Sequence, residues 1–369
     1  MTPTQRKKLV VAHSTREGAP LHEVETNLAL ARWLAQILGL KFGGSYHPER
    51  HAGSELYLLP TQTLVGAEQA QRLNIKGPQD LWGGYVDHAF ICTKAISHGL
   101  LGPEAKAPEG WSPLFCERVR PVVLDGLSVF TVEDARQAAM RLLYSGPIRL
   151  KPVHACAGRG QEVIHSLDAF EALLARPDSA NLFDDGVVLE QDLHDVITHS
   201  VGQSFIGEHV LSYCGEQFLT EDGRGEKVYG GSNLLVVPGG YEDLLKLDLP
   251  DAVRETIGQA QVFDNAADEA YPNFYASRRN YDIAQGLDSD GQRRSGVLEQ
   301  SWRMGGASSA EVAALQSFIN HPGLRAIHVA SVETYVDPAL PADAIEVYRG
   351  PAENGDFLLK YVTVNSYDG

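Results

Sequence analysis

The first part of the chain alternates between short apolar runs and a helical pattern, and this order restricts its fold more than any other feature. Residues 8–14 and 55–59 each have the length and apolar content of a buried strand. Between them, apolar residues recur at helical spacing over residues 27–38. Gly39 follows, as glycine often does where a helix ends. The strand–helix–strand order predicts an N-terminal open α/β domain.

The rest of the chain mixes helices with strands that return on themselves. Thr131 and Ser166 are N-cap residues for helices predicted over 132–144 and 166–174. Residues 201–237 alternate apolar and polar side chains between turns, which predicts an antiparallel meander. A late helix and two or three final strands are predicted over 309–318, 326–336, 344–348 and 357–364. The linker candidate is the Pro- and Gly-containing stretch 102–113.

These patterns predict three parts in a mixed α/β and α+β chain. The N-terminal α/β domain spans 1–110, a first lobe spans 111–195, and a second lobe with C-terminal strands spans 196–369.

The charge balance excludes several classes of partner. The chain carries 48 acidic and 31 basic residues, for a net charge of -17. Such a surface repels phosphate backbones and anionic lipids, so we expect neither nucleic acid nor membrane as a partner. The four cysteines form no C-x-x-C pair, and no apolar run reaches transmembrane length. We therefore expect a soluble cytoplasmic protein, and the sequence leaves a homodimer open.

A lysine before a glycine-containing loop is the first candidate for binding chemistry. Lys151 ends a strand predicted over 148–153, and Gly158 and Gly160 follow in a loop. A lysine supplies a point charge for a polyphosphate, and a glycine loop lets backbone N–H groups approach its oxygens. A simple hairpin turn explains the same spacing, so both interpretations stay open.

Two further segments place acidic residues at strand ends. The strand over 187–190 ends at Glu190, and Gln191 and Leu193 follow, which is a pattern suited to holding an adenine edge. Asp282 and Glu299 lie on the two strands of a predicted hairpin. Two carboxylates facing one cleft provide the hard oxygen ligands that Mg²⁺ prefers.

Alternation along the second hairpin strand extends this site. Glu299, Ser301 and Arg303 are two residues apart and should point to one face. Two acids and an arginine on one wall suit a metal–phosphate site. An exposed polar strand face is the alternative, although Val297 and Trp302 favour a packed strand.

In order and separation, these elements resemble the ATP-grasp superfamily over roughly residues 90–320. The strings YGGS at 229–232 and GVLEQSWRMGG at 296–306 more narrowly resemble an uncharacterised bacterial family assigned to that superfamily. The resemblance implies an ATP-grasp fold, in which two α+β lobes grip ATP behind an N-terminal, or pre-ATP-grasp, α/β domain. It also implies ATP and Mg²⁺ as cofactors.

The resemblance further implies a role for each matching residue. Lys151, Gly158 and Gly160 match the phosphate-binding lysine and loop; Glu190, with the backbone of Gln191 and Leu193, matches the adenine hinge; Asp282 and Glu299 match the metal-binding acids; and Arg303 matches a basic residue that closes the strand. A second phosphate lysine is expected before this lobe, where Lys94 and Arg120 are the candidates. The third metal ligand of the superfamily is normally asparagine, and Ser301 stands there in this chain.

Arg278 and Arg279 lie close to Asp282, where arginines of the superfamily often stabilise the transferring phosphoryl group. We assign that catalytic role to Arg279 together with Arg303; solvated basic residues are the alternative for the arginine pair. The function implied is an ATP- and Mg-dependent ligase acting on a small-molecule carboxylate and a nucleophile. A small-molecule kinase and a non-catalytic nucleotide sensor are the alternatives, the sensor because of Ser301.

Overall fold

A computed structural model describes residues 8–16, 18–154, 160–179 and 181–367 of the 369-residue chain. Its strands are β1 (Leu9–His13), β2 (Lys41–Ser45), β3 (Leu56–Pro60), β4 (Leu64–Val65), β5 (Gly84–Val86), β6 (Gly126–Val129), β7 (Ile148–Pro152), β8 (Glu162–Ile164), β9 (Val187–Gln191), β10 (His194–Ile206), β11 (His209–Glu221), β12 (Lys227–Pro238), β13 (Tyr275–Ala276), β14 (Arg278–Leu287), β15 (Arg293–Ser301), β16 (Ile327–Thr334), β17 (Ile345–Pro351) and β18 (Phe357–Ser366). Its α-helices are α1 (Leu21–Ile37), α2 (Pro48–His51), α3 (Ala67–Arg72), α4 (Pro113–Val119), α5 (Val132–Leu142), α6 (Leu167–Leu174), α7 (Tyr241–Leu244), α8 (Asp251–Ala270) and α9 (Ser308–Asn320). Short 3₁₀ turns include Ala89–Cys92 and Lys94–Ser97.

The N-terminal sheet is parallel, in the order β2-β1-β3, and α1 connects its first two strands. Leu30 and Leu34 of α1 are fully buried against this sheet. The predicted strand–helix–strand order is confirmed, and Gly39 adopts φ +62° just beyond α1. β2 was not predicted, because its Lys-Phe-Gly-Gly-Ser sequence has neither an apolar run nor alternation.

The second sheet is antiparallel, in the order β6-β9-β7-β8, and α5 and α6 pack against one of its faces. Both predicted N-caps are confirmed. The Thr131 hydroxyl accepts a hydrogen bond from the Asp134 amide at 3.1 Å, and the Ser166 hydroxyl accepts one from the Ala169 amide at 3.2 Å. The Leu150 and Leu189 side chains point into the core beneath the helices, so Lys151 and Glu190 project from the opposite face.

The largest sheet has the order β15-β14-β10-β11-β12-β16-β18-β17. Its β10-β11-β12 part is the predicted meander, and its last three strands are also those predicted. The sheet has α9 on one face and α8 on the other. α8 was not predicted. Its buried positions include the polar residues Thr256, Gln259 and Asp264, which weaken the apolar periodicity of the helix.

The predicted domain bounds stay a prediction, and some pairings cross them. β13, next to β14 of the largest sheet, pairs with β5 of the N-terminal part. The Ser277 amide donates to the Gly83 carbonyl at 2.8 Å in the same region. No helix in the described part of the chain is both long and apolar enough to cross a membrane.

Candidate functional site

The two predicted metal-binding acids lie side by side. Asp282 of β14 and Glu299 of β15 are direct partners in the antiparallel ladder. Residues directly opposite each other in such a ladder share a face of the sheet. The sequence-predicted hairpin therefore brings both carboxylates onto one wall, on the face opposite α8.

A β-bulge places Glu299 on this wall. The ladder pairs Asp282 with Glu299 and Ile283 with Val297, so Leu298 is the extra residue. Without it, Val297 and Glu299 would share one face. With it, Val297 is fully buried in the core beneath α8 while Glu299 faces the cleft. Bulges often re-aim a side chain next to a functional site in this way.

Asp282 is surrounded by hydrogen-bond donors. Its Oδ1 accepts from Gln217 Nε2 at 2.8 Å, from Asn280 Nδ2 at 3.0 Å and from Ser200 Oγ at 3.5 Å. Burial, followed by the negative charge of Glu299, raises the pKa of Asp282 to about 6, although the amide donors act in the other direction. The ionised form of Asp282 is therefore disfavoured in this position, and a cation between the two acids would stabilise it.

Lys94 is in direct contact with this pair. Its Nζ lies 3.0 Å from Glu299 Oε2, and its side chain is only 4% exposed. The segment of residues 93–98, here called the bridging segment, is fixed to β15 at both ends. Gln300 Nε2 donates to the carbonyl of Thr93 at 2.9 Å, and Ser97 Oγ donates to that of Leu298 at 3.2 Å. The alternative candidate, Arg120, is exposed next to α4 and is not part of this arrangement.

Lys151 and Glu190 form a second, more deeply buried charge cluster. Lys151 Nζ contacts Glu190 Oε1, and His98 Nε2 lies 3.0 Å from Glu190 Oε2. Burial alone would raise the pKa of Glu190, but Lys151 and then His98 hold it at about 2. His98 belongs to the bridging segment. This segment therefore contacts Glu299 of the largest sheet through Lys94 and Glu190 of the second sheet through His98.

This cluster changes the role expected for Glu190. Its carboxylate is committed to Lys151 and His98, so it orients Lys151 and does not face outward to an adenine amino group. The Gln191 amide donates to the Asp125 carbonyl at 2.7 Å, and the Leu193 side chain is buried. Gln191 also lines a cavity of about 210 Å³ with Asp125 and Arg141.

The loop after Lys151 combines features of both sequence interpretations. β7 and β8 do pair as an antiparallel hairpin, with Leu150 opposite Glu162. Residues 153–161 connect them, which is too long for a two-residue turn. Gly160 has φ +67°. Gly158 lies outside the described residues.

The end of β15 carries the other predicted residues. Ser301 is the last residue of the strand and is paired with Asn280. Arg303 lies beyond the strand, where its Nη1 donates to the Met304 carbonyl at 2.6 Å. Its charge is one of the influences that lower the pKa of Asp282, so it is near the acidic pair. Trp302 points away into the core and donates to the Tyr281 hydroxyl at 3.2 Å.

The structure does not bring Arg279 into this site, which corrects the catalytic role expected for it. Strand alternation puts Arg279 on the face of β14 opposite Asp282. There it forms ion pairs with Asp264 at 2.8 Å and Asp268 at 2.9 Å, both on α8. Arg278 does share the face of Asp282, but it is 1% exposed and paired with Glu311 of α9 at 2.7 Å.

Four contributing residues were not predicted from the sequence: His98, Ser200, Gln217 and Asn280. Each contacts an acid of the site, and for three of them that acid is distant in the chain. Asn280 carried a readable signal, because it lies two residues before Asp282 on a predicted strand. Among the described residues, no group of three or more His, Cys, Asp and Glu side chains is arranged to hold a metal. The candidate site has two acids, with amide and hydroxyl oxygens beside them.

A larger cavity lies in the N-terminal domain, at the carboxyl ends of β1 and β2. Its volume is about 420 Å³, and its lining includes His13, Asn27, Tyr46 and Arg72. Burial, and then the charge of Arg72, lowers the pKa of His13 to about 4. His13 is therefore neutral near pH 7, and Arg72 is the cation of the lining.

Comparison with known proteins agrees with this architecture. The model of a family described as "Protein of unknown function (DUF3182)" matches residues 10–362. No curated protein matches the chain. The chain is similar to the crystal structure of phosphoribosylamine–glycine ligase from Thermotoga maritima, with a TM-score of 0.52 and 15% sequence identity over 97% of this chain and 93% of that chain. It is also similar to D-alanyl-alanine synthetase A from Vibrio cholerae O1 biovar eltor, with a TM-score of 0.44 and 15% identity over 87% and 95% of the two chains. The first likeness shows the fold, and the predicted ATP-grasp fold class is confirmed.

Proposed function

The chain belongs to the family described as "Protein of unknown function (DUF3182)", and we propose that it is an ATP- and Mg²⁺-dependent ligase. It activates the carboxylate of a small molecule as an acyl-phosphate, which an amine or another nucleophile then attacks. The observation that carries this proposal is the acidic pair with Lys94 beside it and Lys151 on the facing sheet. The fold supports it as well, since the similar Thermotoga structure is named as a ligase.

The acidic pair fits a Mg²⁺ ion. Asp282 and Glu299 offer hard carboxylate oxygens from adjacent strands, and their mutual repulsion favours a cation between them. A Mg²⁺ ion held by these two carboxylates would supply positive charge that neutralises phosphate oxygens. Lys94 forms an ion pair with Glu299, and its ammonium group is a candidate to exchange that carboxylate for a phosphate oxygen.

The second cluster pairs a buried lysine with a carboxylate. Lys151 is 4% exposed, and an unpaired ammonium there would be strongly disfavoured. Glu190 forms an ion pair with it, and His98 holds Glu190 in place. Lys151 is thereby oriented for a polyphosphate.

The proposed reaction has two steps. The substrate carboxylate takes the γ-phosphoryl group of ATP, and ADP leaves. The nucleophile then attacks the acyl carbon and gives up a proton, and inorganic phosphate leaves as the carbonyl is restored. Arg303 is close enough to the acidic pair to stabilise negative charge that develops there.

Product analysis separates this proposal from its alternatives. ADP and phosphate released only when both a carboxylate and a nucleophile are present support the ligase. A stable phosphorylated product supports a kinase. ATP binding without turnover across a broad panel supports the sensor, which Ser301 at the usual asparagine position continues to favour.

MgATP is expected to raise the melting temperature by several degrees, because a ligand that binds only the native state stabilises it. The measurement is a thermal unfolding scan with millimolar MgATP, with and without EDTA. Lys94→Ala should lose most of the shift. Arg120→Ala, which removes the exposed candidate, should keep it. A wild-type protein that shows no shift would contradict nucleotide binding.

We propose that the N-terminal cavity binds the acceptor substrate through a part of that molecule other than the carboxylate that receives the phosphoryl group. β3 pairs with β1 and is followed by Thr63, whose hydroxyl donates to the Trp302 carbonyl of the second lobe at 3.2 Å. Arg72 and the hydrogen-bonding lining suit an acidic group. Arg72→Gln is expected to raise the KM for the acceptor by about tenfold or more, because a charge-assisted contact contributes about 1.5–3 kcal/mol. The ATP affinity should not change.

The control for this cavity is Arg50→Gln, an exposed arginine of the nearby α2 that is not part of the lining. An unchanged acceptor KM in Arg72→Gln would remove the cavity from the substrate site.

A further inference from the structure

The acidic pair lacks an obvious third protein ligand. Ser301 carries its oxygen on a short side chain at the very end of β15. The residue directly opposite Ser301 in the ladder is Asn280, whose amide is 6% exposed. Asn280 also precedes Asp282 by two positions, so all three side chains share one face of the hairpin. An amide group therefore already lies where the third oxygen is needed.

This amide shares its hydroxyl partner with a second acceptor. Asn280 Nδ2 donates to Asp282 Oδ1 at 3.0 Å, and Asn280 Oδ1 accepts from the Tyr213 hydroxyl at 3.0 Å. The same hydroxyl also lies 3.2 Å from Glu311 Oε1. A phenol has one hydrogen and cannot donate to two acceptors at once. Glu311 Oε1 already accepts from Arg278 Nη2 at 2.7 Å. When the Tyr213 hydroxyl donates to Asn280, its oxygen is therefore left in buried contact with the Glu311 carboxylate and has no hydrogen between them.

Rotation of the amide by half a turn removes the conflict. Asn280 Nδ2 then donates to the Tyr213 hydroxyl, and that hydroxyl donates to Glu311. Asn280 Oδ1 now faces Asp282 Oδ1. Two bare oxygens in contact repel each other unless a cation lies between them, so the rotated state is stable only when a cation is bound.

We propose that Asn280, in place of Ser301, supplies the third protein oxygen of the Mg²⁺ site, and that its amide rotates when the metal binds. The inference rests on the proposed function, because it assumes a metal at Asp282 and Glu299. The 3.0 Å between the Asn280 amide and Asp282 Oδ1 fits it. Neighbouring ligands of an octahedral Mg²⁺ with bonds of about 2.0–2.1 Å are about 2.9 Å apart.

Gln217 is the other amide next to Asp282, and its contacts argue against the same role. Its Nε2 donates both to Asp282 Oδ1 at 2.8 Å and to the Ser200 hydroxyl at 2.9 Å. Rotation of Gln217 would lose the hydrogen bond to Asp282 and would only reverse the one with Ser200. Rotation of Asn280, in contrast, frees the Tyr213 hydroxyl to donate to Glu311.

The test measures metal affinity and not turnover. Mn²⁺ is titrated into the full-length protein with adenylyl imidodiphosphate bound, and free Mn²⁺ is followed by electron paramagnetic resonance. Asn280→Leu, which keeps the shape but has no oxygen, is expected to weaken Mn²⁺ binding at least tenfold. Asn280→Asp, which presents an oxygen without rotation, should retain or tighten it. Ser301→Ala is the matched control and should change it less than threefold.

Tyr213→Phe tests the rotation itself and guards against a folding defect in Asn280→Leu. It removes the acceptor of the rotated amide, so we expect Mn²⁺ to bind several-fold more weakly while metal-free nucleotide affinity is kept. Wild-type affinity in Asn280→Leu, or an equal loss in Ser301→Ala, would overturn the assignment of Asn280. Failure of the wild-type nucleotide complex to bind Mn²⁺ would instead overturn the metal site and the proposed function together.

Discussion

Asp282→Asn is expected to abolish turnover and, in the absence of metal, to make the protein more stable. Turnover should fall by a hundredfold or more, because a bound metal contributes several kcal/mol to stabilising transition-state charge. Stability should rise because keeping the buried wild-type carboxylate ionised at pH 7 lowers the free energy of unfolding. Its pKa is raised from 3.8 to about 6, and about two pKa units correspond to roughly 3 kcal/mol.

The pH dependence follows from the sign of this shift. A carboxyl group whose pKa is higher in the folded state binds a proton more tightly there, so it stabilises the fold at low pH. That contribution is lost as the pH rises from about 4 through 6. Wild type and Asp282→Asn should therefore be equally stable near pH 4 and differ most above pH 6. Urea unfolding with EDTA across pH 4–8 measures this, and a variant less stable than wild type at pH 7 would contradict it.

Glu299→Gln provides the matched comparison. It should lose turnover as completely as Asp282→Asn, since both acids hold one ion, and the double variant should be little worse than either. Its effect on stability should have the opposite sign, because Lys94 loses the carboxylate 3.0 Å away. The loss should be smaller than the about 3–5 kcal/mol of a fully buried pair, since the Glu299 side chain is 34% exposed.

The sequence was sufficient to predict the carboxylate hairpin but not its register. Alternation identified Asp282 and Glu299, whereas the extra residue Leu298, which turns Glu299 to the cleft, has no sequence signature. The misassignment of Arg279 was avoidable. Counting by twos back from Asp282 gives Asn280 and Arg278 on the cleft face, and Arg279 on the face of α8.

Long-range pairing explains the rest of what was missed. His98 lies 92 residues from Glu190, and nothing near either residue marks the pair. Lys94 was recognised as a candidate, but its position beside Glu299 depends on the hydrogen bonds between the bridging segment and β15. Such contacts are set by how two sheets pack, which local patterns do not encode.

The second large effect is a change in stability, which we expect at the buried cluster of Lys151, Glu190 and His98. Glu190→Gln is expected to destabilise the protein by about 3–5 kcal/mol, because it leaves a buried ammonium without its carboxylate. The exposed pair of Arg136 and Glu171 is the control, and Glu171→Gln should change stability little.

The stability of the wild-type protein at acid pH tests the same cluster without a substitution. The pKa of Glu190 lies at about 2 in the folded state against 4.5 ordinarily, so its stabilising contribution is present above pH 4.5 and is lost as the pH falls towards 2. Over that interval, the free energy of unfolding of the wild type should fall by roughly 3 kcal/mol more than that of Glu190→Gln. Urea unfolding at pH 2.5–5 measures the difference, and parallel curves for the two proteins would contradict it.

Stability and function can be separated at this cluster. Replacing Lys151 and Glu190 together by Met and Leu removes both charges, and apolar replacement of a buried ion pair is often neutral or stabilising. The double variant should therefore recover much of the stability that Glu190→Gln loses. It should still bind ATP more weakly than wild type by about 1.5–3 kcal/mol, as a lost charge-assisted phosphate contact implies. Calorimetric ATP affinity equal to that of wild type would mean that Lys151 serves only the fold, and the phosphate contact would then belong to Lys94 alone.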